Sequence, residues 1–300
     1  MSDPGRRAAV PAAQSASSEL PPRPRPETSV VQALQSATGA LAAARVHSPR
    51  LDAELLLGHV LGVGRERLLL DRDTAVPRPA VRAYQDVVRR RAVDREPVAY
   101  ITGRRAFRHL ELRVDRRALI PRPETEGLVE AALALPRGAT VLDVGTGCGA
   151  VALALAQERP DLHVSASDSS VEALSLAREN GRRLGLEVRW LSGDLLDGVP
   201  DHHMAIVANL PYVAAVDLAG LAPEIVRHEP HGALLAEDDG LALMSRLLAQ
   251  AGSRSVELVA LEVGLDQAER VASAARRAGF DRIRRERDLA GIERVLVAER

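Results

Sequence analysis

The stretch Val141-Leu-Asp-Val-Gly-Thr-Gly-Cys-Gly149 determines how the rest of this chain is interpreted. Its first four residues are mostly apolar and predict a buried strand, and glycines follow at positions 145, 147 and 149. The apolar run 150–156 then predicts a helix. Glycines let a ligand approach the backbone closely, and the first turn of a helix offers free N–H groups. The stretch therefore predicts a nucleotide-binding βα unit.

Two classes of ligand fit this unit. The string matches G-x-G-x-x-A, a dinucleotide fingerprint, with the acid Asp168 about 20 residues further on. The alternation G-x-G-x-G and the acid Asp143 favour S-adenosylmethionine instead, because a carboxylate under the loop attracts an ammonium and a sulfonium but repels a pyrophosphate. A plain turn without a ligand is disfavoured, since clustered glycines cost backbone entropy without adding packing. We therefore expect S-adenosylmethionine to contact Gly145, Thr146, Gly147, Cys148 and Gly149.

The composition sets wide bounds on the function. The chain has 300 residues, 46% of them hydrophobic, which is enough for two domains with a sizeable core. The formal net charge of −1 gives no general attraction for nucleic acid, and the single cysteine, Cys148, excludes an internal disulfide. We expect Cys148 to be a small residue in the turn rather than a nucleophile. With no apolar run of membrane-spanning length and no secretory signal, we expect a cytoplasmic protein without a membrane, nucleic-acid or metal partner.

The chain divides into a leader, a helical bundle, a linker and a larger domain. Residues 1–28 are rich in Pro, Ala, Ser and Arg, which predicts a disordered leader. Residues 29–95 carry apolar side chains at helical spacing, which predicts a small bundle of helices. Residues 96–118 form the linker, in which the alternation over 107–114 predicts a half-buried strand. The larger domain covers residues 119–300.

Two polar segments leave alternatives open. The arginines at 89–91, with Arg95 near by, favour a solvated helix end that complements the helix dipole over a contact for an acidic or RNA-bearing partner. In the segment 119–126 two prolines fix an extended path, which suits either a tight domain junction or a wall of a site. Thr125 or Glu124 is expected to open the helix that follows.

The larger domain alternates strands with helices, which predicts a parallel sheet with helices on both faces. Ligands bind such sheets beyond the carboxyl ends of the strands. Asp168 follows one strand and is expected to accept hydrogen bonds from ribose hydroxyls, with a helix N-cap as its alternative role. Asp194 or its neighbour Leu195 follows another strand and is expected to border the adenine.

The tetrapeptide Asn209-Leu-Pro-Tyr212 is the second chemical signal, since it also follows a buried strand. Methylating a planar NH₂ group needs orientation and acceptors for its N–H groups more than acid–base help. The side-chain oxygen of Asn209 and the backbone carbonyl of Leu210 are suited to accept those two hydrogens, and Tyr212 to pack on a flat amide or base. The expected catalytic and substrate-binding residues are therefore Asn209, Leu210, Pro211 and Tyr212.

Taken together, these blocks resemble the HemK/PrmC-type peptide-chain-release-factor glutamine N5-methyltransferases from about residue 29 to the C-terminus. The block Leu119-Ile-Pro-Arg-Pro-Glu-Thr-Glu126 is the specific one, whereas the glycine loop alone indicates a class I methyltransferase. The other matching blocks are Asp52-Ala-Glu-Leu-Leu-Leu, Pro97-Val-Ala-Tyr-Ile-Thr-Gly103, Asp168 with Ala173, Leu174, Ala177 and Asn180, Asn209-Leu-Pro-Tyr212, Glu229-Pro230, Asp239-Gly240-Leu241 and Asp288-Leu-Ala-Gly291.

The resemblance implies an α/β fold: a Rossmann-like, seven-stranded methyltransferase domain preceded by a helical domain that docks a release factor and by a β-hairpin linker. The implied substrate is the glutamine of the Gly-Gly-Gln loop of class 1 release factors. The implied cofactor contacts are residues 145–149, Asp168, Leu195 and Asn209. One departure concerns Leu210, which stands where the family usually has proline and gives a form similar to that of rRNA adenine dimethyltransferases.

Two other functions fit parts of the sequence. The same loop would serve adenine N6-methylation of rRNA or DNA, but the near-neutral charge and the helical front domain argue against it. A non-catalytic binding module is the other alternative, and the intact glycines and Asp168 argue against that. We therefore expect methyl transfer to the side-chain nitrogen of a release-factor glutamine, with a role in translation termination.

Overall fold

The computed structural model describes residues 28–236 and 240–300, so the predicted leader lies, except for its last residue, outside the described residues. The chain then forms four helices that pack together. They are α1 (Val30–Ala43), α2 (Pro49–Leu61), α3 (Arg65–Leu70) and α4 (Arg78–Ala92). No helix within the described residues is long and apolar enough to cross a membrane.

The ends of these helices follow from local sequence. Ser29 caps α1 in a capping box, in which its side chain accepts from the N–H of Gln32 and the Gln32 side chain accepts from the N–H of Ser29. Gly62 ends α2 in the left-handed conformation, with φ of 68°. Tyr84 on α4 is buried and donates its hydroxyl to the carbonyl of Ala53 on α2, at 2.9 Å. The bundle thus has a core and polar links of its own.

Of the arginines at the end of α4, Arg89 is exposed, as expected of a solvated helix terminus, but Arg91 is buried, contrary to that expectation. Arg91 is only 7% exposed and donates to Asp52 of α2 and to Glu224 of the larger domain, each at 2.7 Å. Arg95 also donates to Glu224, at 2.7 Å. The helix-dipole argument considers only local sequence, whereas Asp52 and Glu224 lie 39 and 133 positions away from Arg91. Arg91 and Arg95 therefore connect the bundle to the larger domain.

The linker contains a short helix and the hairpin that the resemblance implies. Its elements are α5 (Val98–Thr102), β1 (Arg104–Phe107) and β2 (Leu110–Arg113). The prediction of one strand across 107–114 is wrong, because the chain turns at Arg108, whose φ is 48°. Phe107 and Leu112 are both buried, so the apolar alternation continues on either side of the turn and resembles that of a straight strand.

The larger domain alternates strands and helices, as predicted. In chain order its elements are α6 (Glu126–Leu133), β3 (Thr140–Val144), α7 (Ala150–Glu158), β4 (His163–Asp168), α8 (Val171–Leu184), β5 (Arg189–Ser192), β6 (Ala205–Ala208), β7 (Val213–Ala214), α9 (Pro223–His228), β8 (Leu235–Ala236), α10 (Ala242–Gly252), β9 (Leu258–Glu262), α11 (Ala268–Arg277), β10 (Arg282–Arg287) and β11 (Glu293–Glu299).

Seven of these strands form one sheet, in the order β10-β11-β9-β6-β3-β4-β5. The strands from β9 to β5 are parallel, but β11 runs antiparallel to both of its neighbours, β9 and β10. The prediction of a wholly parallel sheet is therefore wrong at this edge, because a short turn rather than a helix connects β10 to β11. The sequence also does not reveal β10, since its residues Arg-Ile-Arg-Arg-Glu-Arg are mostly charged, as suits an exposed edge strand.

Helices cover both faces of the sheet and hold the strands firmly. Val141 of β3 packs into one apolar core together with α6, α7 and α8. Leu142 and Val144 point the other way, into a second core with α10 and α11. Because β3 is buried on both faces, its position is fixed, and so are the loops that leave its carboxyl end.

We expect Arg91→Ala to lower the free energy of unfolding by about 3 kcal/mol, because the buried Asp52 loses its cation and the half-buried Glu224 keeps only Arg95. Urea unfolding followed by circular dichroism measures this change. Arg89→Ala is the matched control on the same helix: Arg89 pairs with Asp94 at the surface, and its loss should cost less than about 1 kcal/mol. Equal losses in the two variants would mean that Arg91 does not hold the bundle against the larger domain.

Candidate active site

A cavity of about 430 Å³ lies beyond the carboxyl ends of β3, β4 and β6. Three parts of the chain enclose it: the loops that follow these strands, the proline-rich segment from Arg117 to Thr125, and residues 230–233 after α9. This is the edge of the sheet at which the sequence predicts a ligand, because parallel strands that end together bring their loops together.

The glycine loop forms the floor of the cavity. Gly145 and Gly147 have positive φ, of 72° and 57°, which non-glycine residues rarely adopt. The N–H groups of Gly145 and Thr146 both donate to the carbonyl of Ser167 on β4, at 2.9 and 3.0 Å. Gly149 does not line the cavity: a Cβ there would lie 3.1–3.2 Å from side chains of α7, α8 and β5, so this glycine permits close packing behind the loop.

Two other residues of the loop are held inside it. Asp143 is 2% exposed and accepts from the Thr146 hydroxyl at 2.6 Å and from the Ala152 N–H at 3.2 Å, while burial raises the pKa of its carboxyl to about 7. Asp143 thereby ties the loop to the start of α7, and it also borders the cavity. Burial raises the pKa of the Cys148 thiol to about 12, so it stays protonated at neutral pH and is not a nucleophile.

Asp168 ends β4 and lines the cavity. Its two carboxylate oxygens accept from the N–H groups of Gly147 and Ser170, each at 2.9 Å, and burial raises its pKa above the usual carboxyl range. The N-cap of α8 is Ser170 rather than Asp168. Asp194 also lines the cavity but is paired with Arg246 at the surface, and its neighbour Leu195 is buried behind the lining.

The tetrapeptide that follows β6 forms the wall opposite Asp168. Asn209, Leu210 and Pro211 line the cavity. Leu210 is 4% exposed and packs against the glycine loop, where a Cβ on Gly145 would lie 3.3 Å from its side chain. Tyr212 lies outside the lining and donates its hydroxyl to Glu262 at 3.3 Å.

The proline-rich segment forms a wall of the cavity, which is one of the two alternatives that the sequence leaves open. Pro121, Arg122 and Thr125 line the cavity, and Arg122 forms an ion pair with the buried Glu229, just before the residues that close the far side. Thr125 is the N-cap residue of α6, as expected, but its side chain makes no capping hydrogen bond. Its hydroxyl donates instead to the buried Glu262, at 2.6 Å.

Sequence reasoning missed Glu229 and Glu262 as parts of the site. Glu229 belongs to a block that resembles the family, but nothing local to it indicates a partner 107 positions away. Glu262 ends β9, which places an acid at the carboxyl end of a strand, the same signal that singled out Asp168. Applied to every strand, that criterion would have found it.

The charges around the cavity fit S-adenosylmethionine better than a dinucleotide. Of the described residues, three acids border the cavity: Asp168 forms no ion pair within the described part of the chain, Asp194 is paired with Arg246 at the surface, and Asp143 has a pKa raised to about 7 by burial. The two arginines that line the cavity within the described residues are already paired, Arg117 with Asp115 and Glu179, and Arg122 with Glu229. A pyrophosphate would therefore face acids without an uncommitted cation, whereas a ligand bearing an ammonium and a sulfonium is attracted.

The amino-acid sequence matches two family models in order. The model of the PrmC N-terminal domain matches residues 32–103, and that of the methyltransferase small domain matches residues 125–237. Solved structures support the fold alone, because the sequences are distant. A methyltransferase from Pyrococcus furiosus has a TM-score of 0.50 at 18% identity and covers 65% of this chain and 90% of its own. The hMettl16 catalytic domain has a TM-score of 0.52 at 13% identity and covers 77% of this chain and 85% of its own.

Curated relatives are much closer in sequence. The release factor glutamine methyltransferase of Bordetella pertussis is 43% identical over 257 residues, which cover 82% of this chain and 93% of that protein. The enzyme of the same name from Deinococcus radiodurans is 43% identical over 273 residues, covering 89% and 97%. The predicted class I methyltransferase fold is confirmed, and with the helical and the catalytic regions both matched, the chain belongs to the family of release factor glutamine methyltransferases.

Proposed function

We propose that this protein transfers the methyl group of S-adenosylmethionine to the side-chain nitrogen of the glutamine in the Gly-Gly-Gln loop of class 1 release factors. The observation that carries the proposal is the position of Asn209, Leu210 and Pro211 on the wall of the cavity, opposite Asp168 and next to the glycine loop. The names of the relatives supply the substrate class. An acceptor-bearing loop beside a cofactor-sized cavity is what methylation of a planar NH₂ group requires.

The cofactor is proposed to lie across the glycine loop. Asp168 accepts hydrogen bonds from the two ribose hydroxyls, since its carboxylate lines the cavity and an ionised carboxylate has room for several donors. Asp194 borders the adenine, with Leu195 behind it, and the remaining contacts come from the loop and from Asn209. The proposed loop contacts are Gly145, Thr146, Gly147 and Cys148, with Gly149 supporting them from behind.

The residues of the tetrapeptide orient the acceptor nitrogen. When bound, the cofactor supplies an electrophilic methyl group on a sulfonium. The side-chain oxygen of Asn209 and the backbone carbonyl of Leu210 accept the two N–H groups of the glutamine, which aims the nitrogen lone pair. These acceptors stabilise the positive character that the nitrogen gains during transfer, so they bind the transition state more strongly than the ground state. Pro211 stiffens the loop, and Tyr212, outside the lining, supports it from behind through its hydrogen bond to Glu262.

The helical bundle is proposed to dock the release factor. Five large apolar side chains on and between α2 and α3 are at least 36% exposed, although the bundle has its own buried core. Exposed apolar surface of this kind often marks a protein interface. The five are Leu51, Leu55, Val63, Leu69 and Leu70. Docking at the bundle leaves the cavity free to receive a protruding loop of the same partner.

Asp168→Ala should weaken binding of S-adenosylmethionine by roughly 10²-fold, because hydrogen bonds to a charged group contribute about 1.5–3 kcal/mol each. Isothermal titration calorimetry measures the affinity, and the melting temperature of each variant checks the fold. Asp194→Ala is the comparison: its carboxylate is exposed and already paired with Arg246, so the loss should be smaller. Unchanged affinity in Asp168→Ala would remove the ribose role.

Asn209→Ala should lower kcat by about 10²-fold or more while leaving the cofactor Kd within a few-fold of wild type, since orientation rather than cofactor affinity is lost. Single-turnover transfer to a release factor and calorimetry with the cofactor measure the two quantities. If cofactor affinity falls as far as kcat, Asn209 is a cofactor ligand and not the residue that orients the substrate.

Incubation of the protein with S-adenosylmethionine and a release factor should add one methyl group, located by tandem mass spectrometry on the Gly-Gly-Gln glutamine. A release factor with that glutamine changed to alanine is the control and should stay unmodified. Methylation of adenine in rRNA or DNA under the same conditions, with none on the release factor, would favour the alternative function. A short Gly-Gly-Gln peptide should react with a higher KM than the whole factor, because it lacks the surface that docks on the bundle.

A further inference from the structure

Glu262 is a buried carboxylate that the proposed chemistry does not use. It is 2% exposed and ends β9, the strand next to β6 in the sheet. Because Ala208 pairs with Leu261, the next residues along the two strands, Asn209 and Glu262, leave the sheet side by side. A buried acid beside the substrate-binding loop calls for a physical explanation, since burying a charge is costly unless partners stabilise it.

Two hydroxyl groups stabilise this carboxylate. Thr125 donates its hydroxyl to Oε2 of Glu262 at 2.6 Å, and Tyr212 donates to Oε1 at 3.3 Å. The side chain of Asn209 then donates from Nδ2 to the hydroxyl oxygen of Thr125, at 3.1 Å. Glu262, Thr125 and Asn209 thus form a chain of hydrogen bonds that runs from the centre of the sheet to the wall of the cavity.

The carboxylate of Glu262, at the buried end, determines which group donates and which accepts in each of these hydrogen bonds. An ionised carboxylate can only accept hydrogen bonds, so Thr125 must give Glu262 its single hydroxyl proton. The oxygen of Thr125 is then left as an acceptor, and it selects the NH₂ group of Asn209 rather than the amide oxygen. The two ends of an amide are nearly equal in size, so packing alone does not distinguish them, whereas the partner's hydrogen-bonding role does.

We propose that Glu262 and Thr125 are positioning residues that set the orientation of the Asn209 amide, so that its oxygen and not its NH₂ group faces the substrate nitrogen. This inference rests on the proposed role of Asn209 as an acceptor for the glutamine. Among the described residues, no hydrogen bond uses Oδ1 of Asn209, which leaves that atom available to the substrate. A flipped amide would set two donors against each other and remove one acceptor from the transition state.

The negative charge on Glu262 favours one of the two orientations of the Asn209 amide. Burial raises the pKa of Glu262, and the nearby Glu124 raises it further, whereas the hydroxyls of Thr125 and Tyr212 and the cation of Arg294 lower it. Once protonated, Glu262 can donate to Thr125, which frees the proton of Thr125 to turn towards Asn209 and favours the flipped amide. Transfer should therefore slow as the pH falls through this raised pKa.

The first test removes the hydrogen bonds of Thr125 while keeping the size of its side chain. Thr125→Val keeps the volume but lacks the hydroxyl, and it should lower kcat by about 10-fold or more with an unchanged cofactor Kd. Thr125→Ser restores a hydroxyl and should recover most of the rate. Thr140→Val is the matched control, since the hydroxyl of Thr140 bonds the carbonyl of His202 at the opposite end of the sheet. Its kcat should match that of the wild type.

The second test observes the amide itself, without catalysis. The sequence contains only two asparagines, Asn180 and Asn209, so protein labelled with nitrogen-15 asparagine gives two pairs of side-chain amide signals in an NMR spectrum. Thr125→Val and Glu262→Gln should shift the Asn209 pair. The Asn180 pair should stay in place, because its side chain bonds the backbone of Arg113 and Cys148, away from the relay.

The third test uses pH. In the wild type, kcat should fall on the acid side with an apparent pKa above that of an ordinary carboxyl group. In Glu262→Gln the rate should be low and the acid limb should change shape, since position 262 can no longer gain a proton, whereas Asp143 and Asp168, whose pKa values are also raised, still titrate. An acid limb that persists unchanged in Glu262→Gln assigns that ionisation to another group and contradicts the role of the charge.

The inference is overturned if Thr125→Val retains both the wild-type kcat and the wild-type Asn209 amide signals. Failure of the proposed function gives a different result: the wild-type protein would then leave the release factor unmethylated. Failure of the role of Asn209 alone would leave Asn209→Ala with the wild-type rate, whatever the state of Thr125. An inactive Asn209→Ala together with a fully active Thr125→Val would leave the proposed function in place and refute the relay alone.

Discussion

The pairing of Val144 with Ala208 places two loops side by side, and the rest of the site depends on this contact between β3 and β6. Gly145 follows the first of these residues and Asn209 the second, so the loop that floors the cavity and the loop that walls it leave the sheet as neighbours. Both strands are buried on both faces by helices, which prevents either loop from moving without disturbing the core. The sheet therefore sets the distance between the proposed cofactor site and the proposed substrate site.

Ion pairs connect the walls of the cavity to the helical bundle. Arg122 and Glu229 join the proline-rich wall to the segment that closes the cavity. Glu224, in the adjacent helix α9, binds Arg91 and Arg95 of the bundle. A partner that docks on the bundle, as proposed, is thus linked through α9 to a wall of the cavity. Such pairs resist breaking because each member would leave an uncompensated charge behind.

Local patterns in the sequence were sufficient for most of the fold and for the floor of the site. Glycines, strand ends and helical spacing are short-range signals, and they place the glycine loop, Asp168 and the tetrapeptide at one edge of the sheet. These local patterns do not predict contacts between residues that are far apart in the sequence. The burial of Arg91 requires Asp52 and Glu224, and the role of Thr125 requires Glu262, 137 positions further on. Strand β10 was not predicted for another reason: a charged edge strand has no apolar pattern.

The same contacts explain how the loop accepts Leu210 where the family usually has proline. A proline restricts the backbone angle φ through its ring, and a leucine lacks this restriction. In this chain the side chain of Leu210 is buried against Gly145, so packing restrains the residue instead. The loop is also held on either side: Asn209 by Thr125, and Tyr212 by Glu262 and by Gln267, whose side chain donates to the Tyr212 carbonyl at 3.1 Å. Tertiary contacts thereby supply the stiffness that a second proline would supply locally.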